Sequence, residues 1–360
     1  MKRNFFATTL GIISVGVVIG VLAPLLQKFG NPGNMGVCVA CFLRDIAGSL
    51  GLHRAAVVQY LRPEIPSFVL GSFLAAMLFK EFRPRGGSAP IIRFFLGFFA
   101  MIGALVFLGC PWRTILRLAG GDLNAIFGLI GLVTGISIGI FFFKQGFDLG
   151  RTQRLGWGAG LVFPVVMAGL LLLRLVFPPI PGEPKSGVLF YSIKGPGTMF
   201  APVFISIGAG LLIGILAQRS RFCTMGAFRD LILFRQGHLF FGVLAFFSTA
   251  LLVNLILGQF HPGFTGQPAA HTQAFWNFAG MVLAGLAFAL AGGCPGRQLF
   301  LSGEGDTDAA IFALGMLIGA AFAHNFAMAA TPKGISPHSM AGVIIGLIFC
   351  VAVGLIMRRK

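Results

Sequence analysis

Ten apolar stretches, each close to the length that crosses a bilayer, constrain this chain more than any other feature. They fall at about 5–27, 67–80, 91–109, 124–143, 158–177, 199–217, 239–258, 275–293, 308–329 and 339–357. A spanning helix needs about 20 mostly apolar residues, so the pattern predicts an all-α, polytopic transmembrane bundle of about ten helices. The second stretch is short and calls for tilt or help from its flanks. Composition agrees: charged residues make up 10% and hydrophobic residues 56%, against roughly 25% charge in a soluble domain. That excludes a cytosolic enzyme, a secreted disulfide scaffold and a disordered tail. The first stretch follows Met1-Lys2-Arg3 but is too long for a signal peptide and lacks an A-x-A site; Pro24 follows Ala23. It is expected to be retained as a helix.

The chain carries 27 Lys and Arg against 10 Asp and Glu, a formal charge of +17. Basic flanks mark the cytoplasmic side of membrane proteins. With the N-terminus inside, 17 basic residues fall on the inner side, from Lys2 and Arg3 through Lys80, Arg154, Arg219 and Arg235 to Arg358, Arg359 and Lys360. Nine fall outside, among them Arg44, Arg62, Arg113 and Arg117. Arg174 lies near a span end and is expected to snorkel. Both termini are therefore expected inside, in a plasma (inner) membrane, and most of the excess charge sets topology.

The sequence also repeats itself at a spacing of about 185 residues. Cys38-Val-Ala-Cys41-Phe-Leu-Arg44-Asp45 is echoed by Cys223-Thr-Met-Gly226-Ala-Phe-Arg229-Asp230. Gly109-Cys110-Pro111-Trp112-Arg113 is echoed by Gly293-Cys294-Pro295-Gly296-Arg297. Asp122 and Asp306 follow the second cysteine of each set by twelve residues, and Gly131 and Gly135 match Gly315 and Gly319. Five spans per half is an odd number, so two such copies must insert in opposite directions, as an inverted repeat. The expected division is repeat 1 over 1–178, a Pro- and Gly-rich linker over 179–198, and repeat 2 over 199–360. Cys38 and Cys110 would then approach from outside, Cys223 and Cys294 from the cytoplasm.

Proline is favoured at the first position of a helix, which makes the cysteine of Gly-Cys-Pro a cap. Pro111 to about Ala119 is too short to cross and reads as a re-entrant half-helix, tolerated where protein or water surrounds it. Cys38 and Cys223 also look like half-helix starts. Helix N-termini carry partial positive charge and free N–H groups, so four of them converging would attract an anion. Polarizable thiols there suit a sulfur- or selenium-like partner. Membrane cysteines are also common packing residues, the reading that suits the unmatched Cys350. Cys41 matches Gly226 and forms a C-x-x-C with Cys38, a pattern seen in redox and metal sites; without a second pair it is weak support for zinc, and no metal site is expected. The pairs Arg44/Asp45 and Arg229/Asp230 read as neutralised half-helix ends or as substrate contacts. Asp122 and Asp306 are expected to cap helices or to pair with Arg113 and Arg297. The glycines fit close helix packing; His324 and Asn325 line a cavity or bond between helices. No P-loop, dinucleotide fingerprint or zinc-protease motif is present, no cofactor is implied, and scattered basic residues give no nucleic-acid surface.

At the Cys38, Gly-Cys-Pro and Cys-x6-Asp landmarks the chain resembles the YeeE/YedE family of membrane proteins, through both halves. The resemblance implies an hourglass-like fold in which short helices meet at a waist and cysteines hand thiosulfate inward through S–H···S contacts. Carried over, it points to Cys38, Cys110 and Cys294, with Cys223 added by symmetry and Cys41 departing from the pattern. The chain is most similar to a branch tied to selenium metabolism and a TusA-like sulfur carrier. The expected function is uptake of a small sulfur- or selenium-containing anion, not catalysis. The alternative is a membrane thiol redox or sulfurtransferase enzyme using the C-x-x-C, and a third reading is a scaffold docking the carrier through basic loops at 80–93 and 219–235.

Overall fold

The computed structural model describes residues 5–358. Lys2, Arg3, Arg359 and Lys360, which contribute to the expected orientation, lie outside the described residues. All ten apolar stretches are helical: α1 (Thr9–Lys28), α3 (Glu64–Leu78), α4 (Pro90–Phe107), α6 (Asn124–Lys144), α7 (Trp157–Val176), α8 (Val203–Ser220), α10 (His238–Ile256), α11 (Ala274–Ala291), α13 (Thr307–Asn325) and α14 (Ser339–Ile356). Among the described residues nine apolar helical segments are long enough to cross a membrane; α3, with 15 residues, is the shorter apolar helix. This is a multi-pass, all-α membrane protein. Its strands are two-residue antiparallel pairs, β1 (Arg85–Gly86) with the distant β2 (Gln153–Arg154) and β3 (Lys185–Ser186) with β4 (Leu189–Phe190).

Four further helices are too short to cross: α2 (Val39–Ser49) and α9 (Thr224–Phe234) have 11 residues, α5 (Pro111–Ala119) and α12 (Pro295–Gly303) have 9. At 1.5 Å per residue each reaches only about half of a ~30 Å hydrocarbon core. Their N-caps are Cys38, Cys110, Cys223 and Cys294. All four caps are buried in protein, which is the condition for irregular chain at membrane depth.

Packing is reciprocal between the halves. Helix α1 packs along α10 as α8 packs along α3; α4 packs along α13 as α11 packs along α6; α4 and α11 pack on each other, as do α1 and α8. The repeated glycines are among the points of close approach. A Cβ at Gly131 or Gly135 would strike the carbonyl oxygens of Phe278 or Val282 on α11, and one at Gly315 or Gly319 would strike those of Phe94 or Phe98 on α4. The last helix of each half breaks the pattern: α7 packs on α3 and α12, α14 on α4 and α11. Between the halves, the 179–198 segment is fastened to the first. Arg62 donates to the carbonyls of Pro196 and Met199, and Ser192 accepts from the N–H of Gln59.

Asp122 and Asp306 both accept from N–H groups at helix starts, as one reading expected, while two expected pairings and the expected snorkelling of Arg174 are corrected. Asp122 pairs with Arg117 at 2.6 Å, not with Arg113, because Arg117 sits in the last turn of α5, next to the loop that carries the aspartate. Asp306 caps α13 through the N–H of Ala309 and pairs with Arg85 at 2.8 Å, while Arg297 turns to Glu304 at 3.3 Å. Arg174 does not snorkel; it is buried, bonded to the Tyr60 hydroxyl at 3.0 Å and held over that ring. The Tyr60 hydroxyl accepts from the guanidinium through both its Nε and Nη2.

Candidate functional site

The cysteine caps meet in two pairs. Cys38 Sγ lies 3.8 Å from Cys110 Sγ, and Cys223 Sγ lies 3.8 Å from Cys294 Sγ. The local reason is the same in both. Cys38 and Cys223 occupy the place of a capping serine, their sulfurs accepting from the N–H groups of Cys41 at 3.4 Å and Gly226 at 3.3 Å. Cys110 and Cys294 precede a proline, make no side-chain cap bond, and turn their sulfurs to the partner helix. Each pair therefore joins the N-termini of two short helices, α2 with α5 and α9 with α12. Two positive helix ends and two soft thiols converge at each point. All six cysteines are reduced and buried, Cys350 among them within α14.

Charge around the outer pair is unbalanced. Asp45 receives both Arg44, at 2.7 Å, and Arg62, at 2.8 Å. Arg113 is fully buried and meets no carboxylate among the described residues. Its guanidinium donates to the carbonyls of Asn34, Leu108, Pro268 and Ala269, and to Cys41 Sγ at 3.4 Å. Arg44 and Arg62 thus share one carboxylate, and Arg113 pairs with none among the described residues. Uncompensated buried charge is costly, and the arrangement favours a visiting anion. Cys41 itself directs its thiol to the Leu108 carbonyl at 3.7 Å. Arg229 and Asp230 pair at 2.8 Å as Arg44 and Asp45 do, but at a more open position.

A cavity of about 450 Å³ is lined in part by Arg44, Leu108, Ala269 and His324. His324 is thus a cavity residue, not an interhelical bond: its ring lies 4.5 Å from that of His53 and its Nε2 has no partner. Asn325 donates to the Leu52 carbonyl. A smaller polar cavity of about 180 Å³ lies by the inner pair, lined by Glu81, Arg83, Arg85, Arg221, Arg297 and Glu304. Glu81 lies in the loop beyond α3. Burial acts to raise its pKa, but a hydrogen bond from Gln218 and the charges of Arg219 and Arg221 outweigh it and hold the carboxyl below its ordinary range. Arg62, Arg117 and Glu304 were not singled out by sequence; their partners lie across turns or on other helices, which spacing alone does not show.

The fold and its buried thiol pairs define a multi-pass membrane protein with a duplicated cysteine centre. Residues 219–357 match the family model described as sulphur transport. The thiosulfate transporter TsuA of Spirochaeta thermophila is 35% identical over 118 residues, 33% of this chain and 35% of that protein. The thiosulfate transporter TsuA of Escherichia coli is 30% identical over 107 residues, 30% of each. The matched stretch spans about a third of either relative's length.

Proposed function

We propose that this protein takes up a small sulfur- or selenium-containing anion, thiosulfate first, across the cell inner membrane. The observation that carries the reading is the two thiol pairs, each at joined helix N-termini, with excess buried guanidinium at the outer one. The anion enters the larger cavity past Arg44 and His324, sheds water, and meets Cys38 and Cys110. It then passes to Cys223 and Cys294 and leaves by the polar cavity at Arg297. Thiol S–H groups donate to its terminal sulfur, and helix N-termini offset its charge. Reciprocal packing of α1–α7 with α8–α14 supports the division into repeats 1–178 and 199–360, inserted in opposite senses around linker 179–198. Both termini then face the cytoplasm. The protein acts as a permease and leaves its cargo chemically unchanged. Lys80, Arg83 and Arg154 line a basic recess beside the polar cavity, which suits docking of a TusA-like sulfur carrier.

Uptake of labelled thiosulfate and of selenium compounds into proteoliposomes tests the reading. Cys110→Ala and Cys294→Ala are each expected to cut uptake by about tenfold or more, the scale of one lost hydrogen bond to a charged group. Wild-type rates in both variants would remove the thiol pathway, and no uptake of any such anion would remove the function. A chemically altered product would instead favour a redox or sulfurtransferase enzyme.

A further inference from the structure

The two halves differ at one position in their most specific motif: Trp112 in Gly-Cys-Pro-Trp-Arg stands where the other half has Gly296. The structure gives the difference a physical reason. A Cβ added to Gly296 would lie 3.2 Å from Cζ2 and 3.3 Å from Cε2 of the Trp112 indole. The ring therefore rests against the start of α12, and a larger residue there would press on it. Four phenylalanines surround it, with ring centroids at 5.8 Å for Phe222, 6.0 Å for Phe68 and Phe246, and 6.1 Å for Phe300. All five rings are at most 1% exposed.

The chain ties this cluster to both thiol pairs. Trp112 follows Cys110 of the outer pair by two residues, Phe222 precedes Cys223 of the inner pair, and Gly296 follows Cys294 by two. An ion going from one pair to the other meets apolar rings, which offer nothing for its hydration shell. One group in the cluster is different. The Trp112 Nε1–H has no hydrogen-bond partner, although buried indole N–H groups usually find one.

We propose that Trp112 is the selectivity barrier between the two thiol pairs. Its ring, seated on Gly296, closes the middle of the pathway to hydrated ions, and its free indole N–H receives an oxygen of the passing anion. The recognised chemistry is a small oxyanion with one soft terminus: the thiols hold the sulfur or selenium while the indole holds an oxygen. Sulfate has oxygens but no soft atom, and chloride has neither feature in combination. This inference rests on the uptake reading.

Trp112→Phe keeps a ring and removes the donor; Trp112→Ala removes both. In proteoliposomes Trp112→Phe is expected to slow thiosulfate uptake about tenfold while still excluding sulfate, and Trp112→Ala to lower the thiosulfate-to-sulfate ratio about tenfold. A purely packing role would leave that ratio unchanged in every variant that folds. A second readout needs no transport. The chain has three tryptophans, so Trp157→Phe with Trp276→Phe leaves Trp112 as sole emitter, and thiosulfate, but not sulfate, is expected to shift its emission saturably. Wild-type uptake by Trp112→Phe, or an emission spectrum unmoved by thiosulfate, overturns the proposal. If the unmodified protein takes up no such anion while the emission still shifts, the uptake reading fails and the donor site stands.

Discussion

Asp45 is the residue on which the outer half of the site hangs. Its Oδ1 accepts from Arg44 at 2.7 and 2.9 Å and its Oδ2 from Arg62 at 2.8 Å, with all three side chains at most 5% exposed. Neutralising it would leave two buried guanidiniums sharing one amide. Breaking a buried ion pair from one side costs about 3–5 kcal/mol, so Asp45→Asn is expected to lose stability on that scale. Denaturation of the detergent-solubilised protein measures it, and a loss below about 1 kcal/mol would mean that water reaches the pair. The repeated motif makes Arg44 and Asp45 legible as neighbours in the sequence. Arg62 is not legible, since it stands 17 positions on, in a loop without periodicity. Arg113 is legible as a repeated residue, but its carbonyl clasp is not, because Pro268 and Ala269 come from the other half of the chain.

At the scale of elements, the half-helices were open to reading because their ends are chemical. Gly-Cys-Pro specifies a cap followed by a proline at the first helical position, and α5 runs over Pro111–Ala119 as that rule implies. The paired meeting of α2 with α5, and of α9 with α12, depends on tertiary packing and has no local signal. The same holds for α7 and α14, whose different neighbours come from lipid-facing surfaces of similar composition. The glycine rows were readable as packing faces, and the structure makes the cost of filling one specific. Gly135 lies against the Val282 carbonyl and Gly169 meets nothing within 4 Å. Gly135→Leu is expected to cost at least the 1–3 kcal/mol typical of overpacking, because backbone cannot yield as a side chain can. Gly169→Leu should leave the thermal midpoint in detergent within a degree or so of the wild type. Equal midpoints for the two variants would show that α6 and α11 can separate without penalty.

At the scale of the whole molecule, the halves are tied together across the inner cavity by charge. Arg221, from the end of α8, reaches Glu81 beyond α3 at 3.1 Å and Glu304 at the end of α12 at 2.6 Å. Arg219 adds a contact to Glu81 at 2.9 Å, and Arg85 reaches Glu304 and Asp306. Part of the chain's excess of basic residues is thus engaged here, in ion pairs between distant segments of the sequence. Glu81 gives this junction a pH dependence whose sign follows from its surroundings. Its carboxyl titrates below its ordinary range in the folded protein, so the folded state prefers the ionised form. That stabilisation is complete above the unfolded value of about 4.3 and is lost as pH falls through the lower folded value. The difference in thermal midpoint between the wild type and Glu81→Gln should therefore be positive at pH 7 and shrink steadily as the buffer is taken below about pH 4. A difference that stays constant, or grows with acid, would show that Glu81 does not carry the junction. Because Glu81 and Arg221 both line the smaller polar cavity, the same variant should loosen that cavity's mouth. Faster access of a membrane-impermeant, thiol-reactive reagent to Cys223 in Glu81→Gln, applied from the inner side, is the expected companion result.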